Sequence, residues 1–137
     1  MSPTDARRLL ALLLRCYGVL DSLAVLAVLA PRGGLSAAAQ WLGVGPLPPG
    51  PLTPYLARTA SALFVLHGVT VLFISFDVER YNRLIRFLAC AALVHGAAVL
   101  AVDLAEGMPW WWCATEGPGI AFTGALVLLV RRWARRI

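Results

Sequence analysis

The two histidines of this chain both stand in the middle of long apolar stretches. His67 and His95 are each followed by a glycine, and Asp21 lies at a comparable place in an earlier apolar stretch, one helical turn after Tyr17. If these stretches cross a bilayer, an ionisable side chain inside one costs about 2.5–3.5 kcal/mol on the insertion scale. Histidine and aspartate exchange protons, form hydrogen bonds or ligate metals, so each residue is a candidate for chemistry.

Three interpretations of this group remain open. The first is hydrogen bonding between helices, with a structural role. The second is haem binding, with His67 and His95 as axial ligands from two antiparallel helices and a glycine beside each giving room. The third is a proton or quinone site, in which histidine and Asp21 exchange protons. We favour the first, because each histidine lies about 100° around its helix from the face of small residues.

The three cysteines do not predict a metal site. Cys16 and Cys90 fall toward one side of the apolar stretches, whereas Cys113 lies toward the other. They are therefore not expected to converge on zinc or copper. Their odd number also argues against a disulfide scaffold.

A second polar group lies near one end of the apolar stretches. Arg58 is a few residues inside the second stretch, and Asp103 is close to the end of the third. Equal depth predicts an ion pair between them, with snorkelling to the interface as the alternative. Glu116 and Trp111 fall at the same level, so we expect a polar cluster that is structural or holds a ligand.

Four apolar stretches account for most of the chain. Of 137 residues, 60% are hydrophobic and 14% are charged, which excludes a disordered chain and a sizeable water-soluble catalytic domain. A transmembrane helix needs about 20 apolar residues, and backbone groups in hydrocarbon must be satisfied within the segment. The sequence therefore predicts an all-α integral membrane four-helix bundle, forming a single domain over residues 1–137. The expected spans cover residues 9–30, 55–76, 84–105 and 117–134.

Arginines predict the orientation of these spans, because cytoplasmic loops are enriched in basic residues. The opposite side holds only Arg32, with Arg58 just inside a span. Both termini are therefore expected in the cytoplasm. The basic residues that share one side are Arg7, Arg8, Arg80, Arg83, Arg86, Arg131, Arg132, Arg135 and Arg136.

The only long connection, residues 31–54, is expected on the outer side. A short interfacial helix is predicted from Leu35 to Val44, with Trp41 at the boundary. Five prolines predict an extended segment from Gly45 to Pro54. The fourth span is expected to begin near Gly117, after a loop that carries the tryptophan run.

Small residues recur on one face of three spans, and we expect these faces to pack in the bundle interior. In the first span the face includes Gly18 and Asp21. In the second it includes Gly68, and in the third Ala89 and Gly96.

The part of the chain from Arg58 onward resembles small bacterial four-helix membrane proteins of the DoxX-like group and related uncharacterised families. The resemblance rests on the early arginine, the mid-span Gly68, a polar turn over residues 77–81, a Gly-x-Pro element at residues 107–109 and the glutamate Glu116. It covers roughly the last 75 residues and depends mostly on size and hydropathy. It implies a bacterial inner-membrane protein, and some members of the wider group are accessory subunits of membrane oxidoreductases.

Together these observations predict a non-enzymatic accessory or ligand-holding subunit in a bacterial inner membrane. The alternative is a haem- or quinone-linked subunit for redox or proton transfer that uses His67 and His95. We expect anionic lipids at the inner arginine clusters, and a larger membrane complex or a homo-oligomer as the setting. Nucleic acid is not expected as a partner, since orientation already accounts for the arginines.

Overall fold

A computed structural model describes residues 3–134, and within that range every regular element is a helix. The helices in chain order are α1 (Pro3–Ser22), α2 (Val25–Leu29), α3 (Arg32–Trp41), α4 (Leu52–Ser75), α5 (Asn82–Ala105) and α6 (Trp110–Ala134). The expected all-helical class is confirmed for these residues. Arg135 and Arg136, which contribute to the predicted orientation, lie outside the described residues.

Four helical segments are long and apolar enough to cross a membrane. They are Thr4–Leu29, which joins α1 and α2, together with Leu52–Ser75, Asn82–Ala105 and Trp110–Ala134. The shortest has 24 residues, which corresponds to about 36 Å of helix and exceeds a hydrocarbon core of about 30 Å. The chain therefore has the segments of a multi-pass membrane protein.

The tryptophan run was predicted to lie in a loop before the fourth span, and this is wrong. Helix α6 begins at Trp110 rather than near Gly117, so the tryptophan run is helical. The reason is visible at the preceding proline: the Pro109 carbonyl accepts hydrogen bonds from the N–H groups of Trp112 (2.9 Å) and Cys113 (3.2 Å), which close the first helical turn. Pro118 lies inside α6 without ending it.

The long connection is partly as expected. A short helix is confirmed, although it spans Arg32–Trp41 rather than Leu35–Val44. The extended segment was predicted to continue to Pro54, and this is wrong because α4 begins at Leu52. Proline is tolerated in the first turn of a helix, where its missing N–H has no intrahelical partner to lose.

The chain divides into two compact units. One unit is Arg15–Leu72, and the other combines the residues before it with those after it. In the first unit, α1 and α4 cross at two glycines: a Cβ on Gly18 would lie 2.8 Å from the carbonyl oxygen of Gly68, and a Cβ on Gly68 would lie 2.7 Å from that of Gly18. Only hydrogen atoms allow the two backbones to approach this closely, as the small-residue faces predicted.

The second unit contains an equivalent contact between α5 and α6. A Cβ on Gly96 would lie 2.5 Å from the carbonyl oxygen of Gly117, and a Cβ on Gly124 would lie 2.6 Å from that of Ala89. The two contacts are seven residues apart on each helix, which is two helical turns. The predicted face of the third span therefore packs against a small-residue face of α6.

One end of this second unit is held by charged and polar side chains. Arg7 forms an ion pair with Glu79, and the buried Arg131 donates a hydrogen bond to the side chain of Asn82. These contacts join α1, the turn after α4, α5 and α6. The basic residues at this end therefore also serve the packing of the helices.

Candidate functional site

Among the candidate residues, Asp21 and His67 make a direct side-chain contact. Nδ1 of His67 lies 2.7 Å from Oδ2 of Asp21, which is a short hydrogen-bond distance. The ring of Tyr17 packs edge-on against the imidazole, with ring centroids 5.8 Å apart. The structure thus brings together three of the residues that the sequence singled out, all within the Arg15–Leu72 unit.

Both members of this pair lie deep in their spans. Asp21 is eight residues before the end of Thr4–Leu29, and His67 is eight residues before the end of Leu52–Ser75. Eight residues correspond to about 12 Å of helix, well inside a hydrocarbon core of about 30 Å. Each side chain therefore depends on the other for a polar partner.

The local backbone places the pair. Helices α1 and α4 approach closely where Gly18 meets Gly68. Asp21 follows Gly18 by about one helical turn, and His67 directly precedes Gly68. The hydroxyl of Ser22 donates to the carbonyl of Gly18 at 2.7 Å. A serine that bonds back along a helix in this way often bends it.

The helix breaks immediately after the pair. α1 ends at Ser22, and the N–H of Ala24 donates to the carbonyl of Asp21 at 3.1 Å, which is the tighter spacing of a 3₁₀ turn. Such an interruption inside a span often accompanies a functional site. Here it lies beside the carboxylate that bonds His67.

The hydrogen bond of the pair can be made in two directions. Either a protonated Asp21 donates to Nδ1 of His67, or the Nδ1–H of His67 donates to the carboxylate of Asp21. When Asp21 is the donor, or when the ring is an imidazolium, Nε2 carries a hydrogen and can donate on the side of the ring that faces away from Asp21.

The two side chains of the pair differ in exposure. The side chain of His67 is 40% exposed, whereas that of Asp21 is 14% exposed. The imidazole is therefore the more accessible member of the pair.

His95 is in a different environment. Its side chain is exposed on α5, next to the buried Gly96, and it belongs to the other compact unit. Haem ligation by His67 and His95 together stays a prediction. The Asp21 contact leaves only Nε2 of His67 for a metal, and a carboxylate on the opposite nitrogen is a common partner of metal-binding histidine.

The remaining predicted cluster is spread over both units. Arg58 donates through Nη2 to the carbonyl of Ala30 at 2.8 Å, and Asp103 is buried on α5. The ion pair predicted between Arg58 and Asp103 stays a prediction. Glu116 accepts a hydrogen bond from the indole N–H of Trp112, one turn earlier in α6.

Trp111 packs against its neighbour in the run. Its ring centroid lies 5.4 Å from that of Trp112, with the two planes tilted by 60°. Trp112, rather than Trp111, thus provides the polar contact to Glu116. Sequence reasoning missed this because it treated the run as a loop, and residues four apart meet only on a helix.

Two features of the site were missed for identifiable reasons. The glycines of α6, Gly117 and Gly124, are spaced by seven residues like Ala89 and Gly96, and this repeat was a usable signal.

Arg32 was interpreted only as an indicator of membrane orientation. Its bond through Nη2 to the carbonyl of Gly50, at 2.6 Å, depends on the path of the connecting loop and has no signal in the sequence.

Comparison with known proteins found no match to this chain among family models, curated proteins or solved structures.

Proposed function

We propose that this multi-pass membrane protein holds a lipid-soluble ligand with a carbonyl group, of the quinone class, at the Asp21–His67 pair. It does so as a non-enzymatic accessory subunit of a bacterial inner membrane. The observation that carries the proposal is the 2.7 Å contact between Asp21 and His67 within two apolar spans. Its support is chemical: the pair can offer an Nε2–H donor, and a quinone carbonyl is a matching acceptor.

The surroundings suit such a ligand. The imidazole of His67 is partly exposed on the surface of the protein. At this depth in a membrane, the surface of a helix that does not contact protein contacts lipid. The Tyr17 ring contacts the imidazole at an interplanar angle of 78°, so it limits the directions in which the histidine can turn. The interrupted helix after Ser22 adds backbone groups that are less regularly paired than those of an intact span.

A direct test measures binding of decylbenzoquinone to the purified protein in a neutral detergent by titration calorimetry. We expect saturable binding that His67→Ala abolishes and Asp21→Asn weakens at least tenfold. His95→Ala is the matched control, because it removes the other histidine from an exposed position, and it should leave affinity unchanged. Equal affinity in the wild type and His67→Ala would refute the proposal.

Haem binding by His67 and His95 is the second candidate, and the contact of Asp21 with Nδ1 of His67 is the observation that favours it. The visible spectrum of the purified protein tests it. A Soret band that is lost in both His67→Ala and His95→Ala would establish haem. A colourless protein with native helical content would exclude it.

We further propose that both termini face the cytoplasm, on the support of the arginine distribution. Labelling of introduced cysteines tests this in a background without the native cysteines. Thr4→Cys and Ala38→Cys are exposed positions in α1 and α3. A membrane-impermeant maleimide should react from outside the cell with Ala38→Cys and not with Thr4→Cys. The reverse result would show that the termini face the outside.

We also propose anionic lipids as partners, and a larger complex or a homo-oligomer as the setting. The inner arginines are suited to anionic lipid, because each base near a membrane surface contributes about 1 kcal/mol. The relation to the DoxX-like group and assembly into a larger complex or homo-oligomer rest on the sequence pattern alone.

A further inference from the structure

A cavity lies at the start of α4, away from the Asp21–His67 pair. It has a volume of about 350 Å³, and two arginines from different elements reach it: Arg32 from α3 and Arg58 from α4. The hydroxyl-bearing Tyr55 and Thr59 complete its polar lining. All of these residues belong to the Arg15–Leu72 unit.

Backbone carbonyl groups hold both arginines in place. Nη2 of Arg32 donates to the carbonyl of Gly50 at 2.6 Å, and Nη2 of Arg58 donates to that of Ala30 at 2.8 Å. Because a guanidinium has five N–H donors, each side chain retains others. The two cations are therefore positioned at the cavity without being neutralised by these bonds.

One of the remaining donors has no acceptor. Nε of Arg58 is buried and makes no hydrogen bond to any described residue. A buried donor that lacks a partner costs about 1–3 kcal/mol, and more when the group is charged. The protein therefore does not satisfy the whole guanidinium of Arg58, although this buried atom itself is out of reach of a ligand in the cavity.

Acidic residues are also lacking in this part of the sequence. No aspartate or glutamate occurs between Ser22 and Phe76. Asp21 is the one acid of the Arg15–Leu72 unit, and it bonds His67. The charge of the two arginines is therefore not balanced within their own unit.

We propose that this cavity binds a phosphate group between the guanidinium groups of Arg32 and Arg58. Arginine recognises phosphate through paired N–H donors, and such charged hydrogen bonds are about twice as strong as neutral ones. Pro51 and Pro54 add apolar surface to the lining of the cavity. The group can come from a phospholipid headgroup or from a free phosphate, and the experiment distinguishes these sources.

The test uses the full-length protein in a neutral maltoside detergent. Native mass spectrometry measures binding of phosphatidylglycerol, with diacylglycerol as the probe that lacks phosphate, and calorimetry measures binding of inorganic phosphate. We expect phosphatidylglycerol to bind and diacylglycerol not to bind. Arg32→Gln with Arg58→Gln should weaken binding at least tenfold. Arg15→Gln removes an exposed arginine of α1 that does not line the cavity, so it is the matched control and should change affinity less than twofold.

The outcomes separate cleanly. If the double variant loses binding of phosphatidylglycerol and the wild type does not bind inorganic phosphate, the ligand is a lipid headgroup. If the double variant also loses binding of inorganic phosphate, the cavity is a site for free phosphate. Equal effects of the double variant and Arg15→Gln overturn the proposal. If the double variant does not fold, Arg58→Lys keeps the charge but loses the paired donors, and it should bind at least threefold more weakly. Unchanged binding in a folded Arg58→Lys would overturn the proposal as well.

Discussion

The contact between α5 and α6 makes a prediction about two glycines of one helix. A Cβ on Gly117 would lie 2.6 Å from the carbonyl oxygen of Gly96 and 2.8 Å from both N and Cβ of Leu100. A Cβ on Gly119, two residues later, would meet nothing within 4 Å. Gly117→Ala should therefore destabilise the protein, and Gly119→Ala should not.

The magnitude follows from the geometry. Ordinary contacts of a Cβ begin at 3.4 Å, so α5 and α6 must separate locally by about 0.8 Å, the difference between 3.4 and 2.6 Å. Overpacking of this kind costs about 1–3 kcal/mol. Both variants share the gain in helix propensity of alanine over glycine, about 1 kcal/mol in water. The difference between them therefore isolates the clash, at about 1–3 kcal/mol.

The assay is reversible unfolding in mixed dodecyl sulfate and maltoside micelles, followed by circular dichroism. At 1.4 kcal/mol for each factor of ten, Gly117→Ala should lower the folding equilibrium constant roughly 5- to 150-fold relative to Gly119→Ala. Equal stability of the two variants would show that α5 and α6 do not approach through Gly117, and the packing described for this unit would be refuted.

Two further predictions concern ion pairs, each measured with a double-mutant cycle. Arg7 and Glu79 have side chains that are 47% and 63% exposed, so their coupling should stay below about 1 kcal/mol and fall with salt; a coupling above 2 kcal/mol would contradict this. The sequence-based pair of Arg58 and Asp103 predicts that Asp103→Ala adds little to the loss caused by Arg58→Ala, and additive losses would count against the pair.

The helical spans could be predicted from the sequence because the bilayer leaves few alternatives. Long apolar runs in hydrocarbon must satisfy their own backbone, so length and composition suffice. Small residues at helical spacing likewise indicated the faces on which Gly18, Gly68 and Gly96 pack. These are local properties of one helix at a time, which a sequence displays directly.

Features that depend on two elements were harder to predict. Asp21 and His67 were both named as candidates, but sequence spacing does not show which nitrogen contacts which oxygen. The start of α6 at Trp110 was missed because the tryptophans were read as a boundary, whereas the Pro109 carbonyl closes a helical turn there. The position of Arg32 depends on a loop path that no periodicity encodes.

The central claim is that Asp21 and His67 share a hydrogen bond within the membrane spans. The chain has two histidines, so a sample labelled with ¹⁵N in the histidine ring gives signals from only two rings. Nitrogen NMR of the protein in bilayers should show that Asp21→Asn shifts both ring nitrogens of His67 and leaves those of His95 in place. Unchanged His67 signals in the folded variant would contradict the pair and, with it, the proposed ligand site.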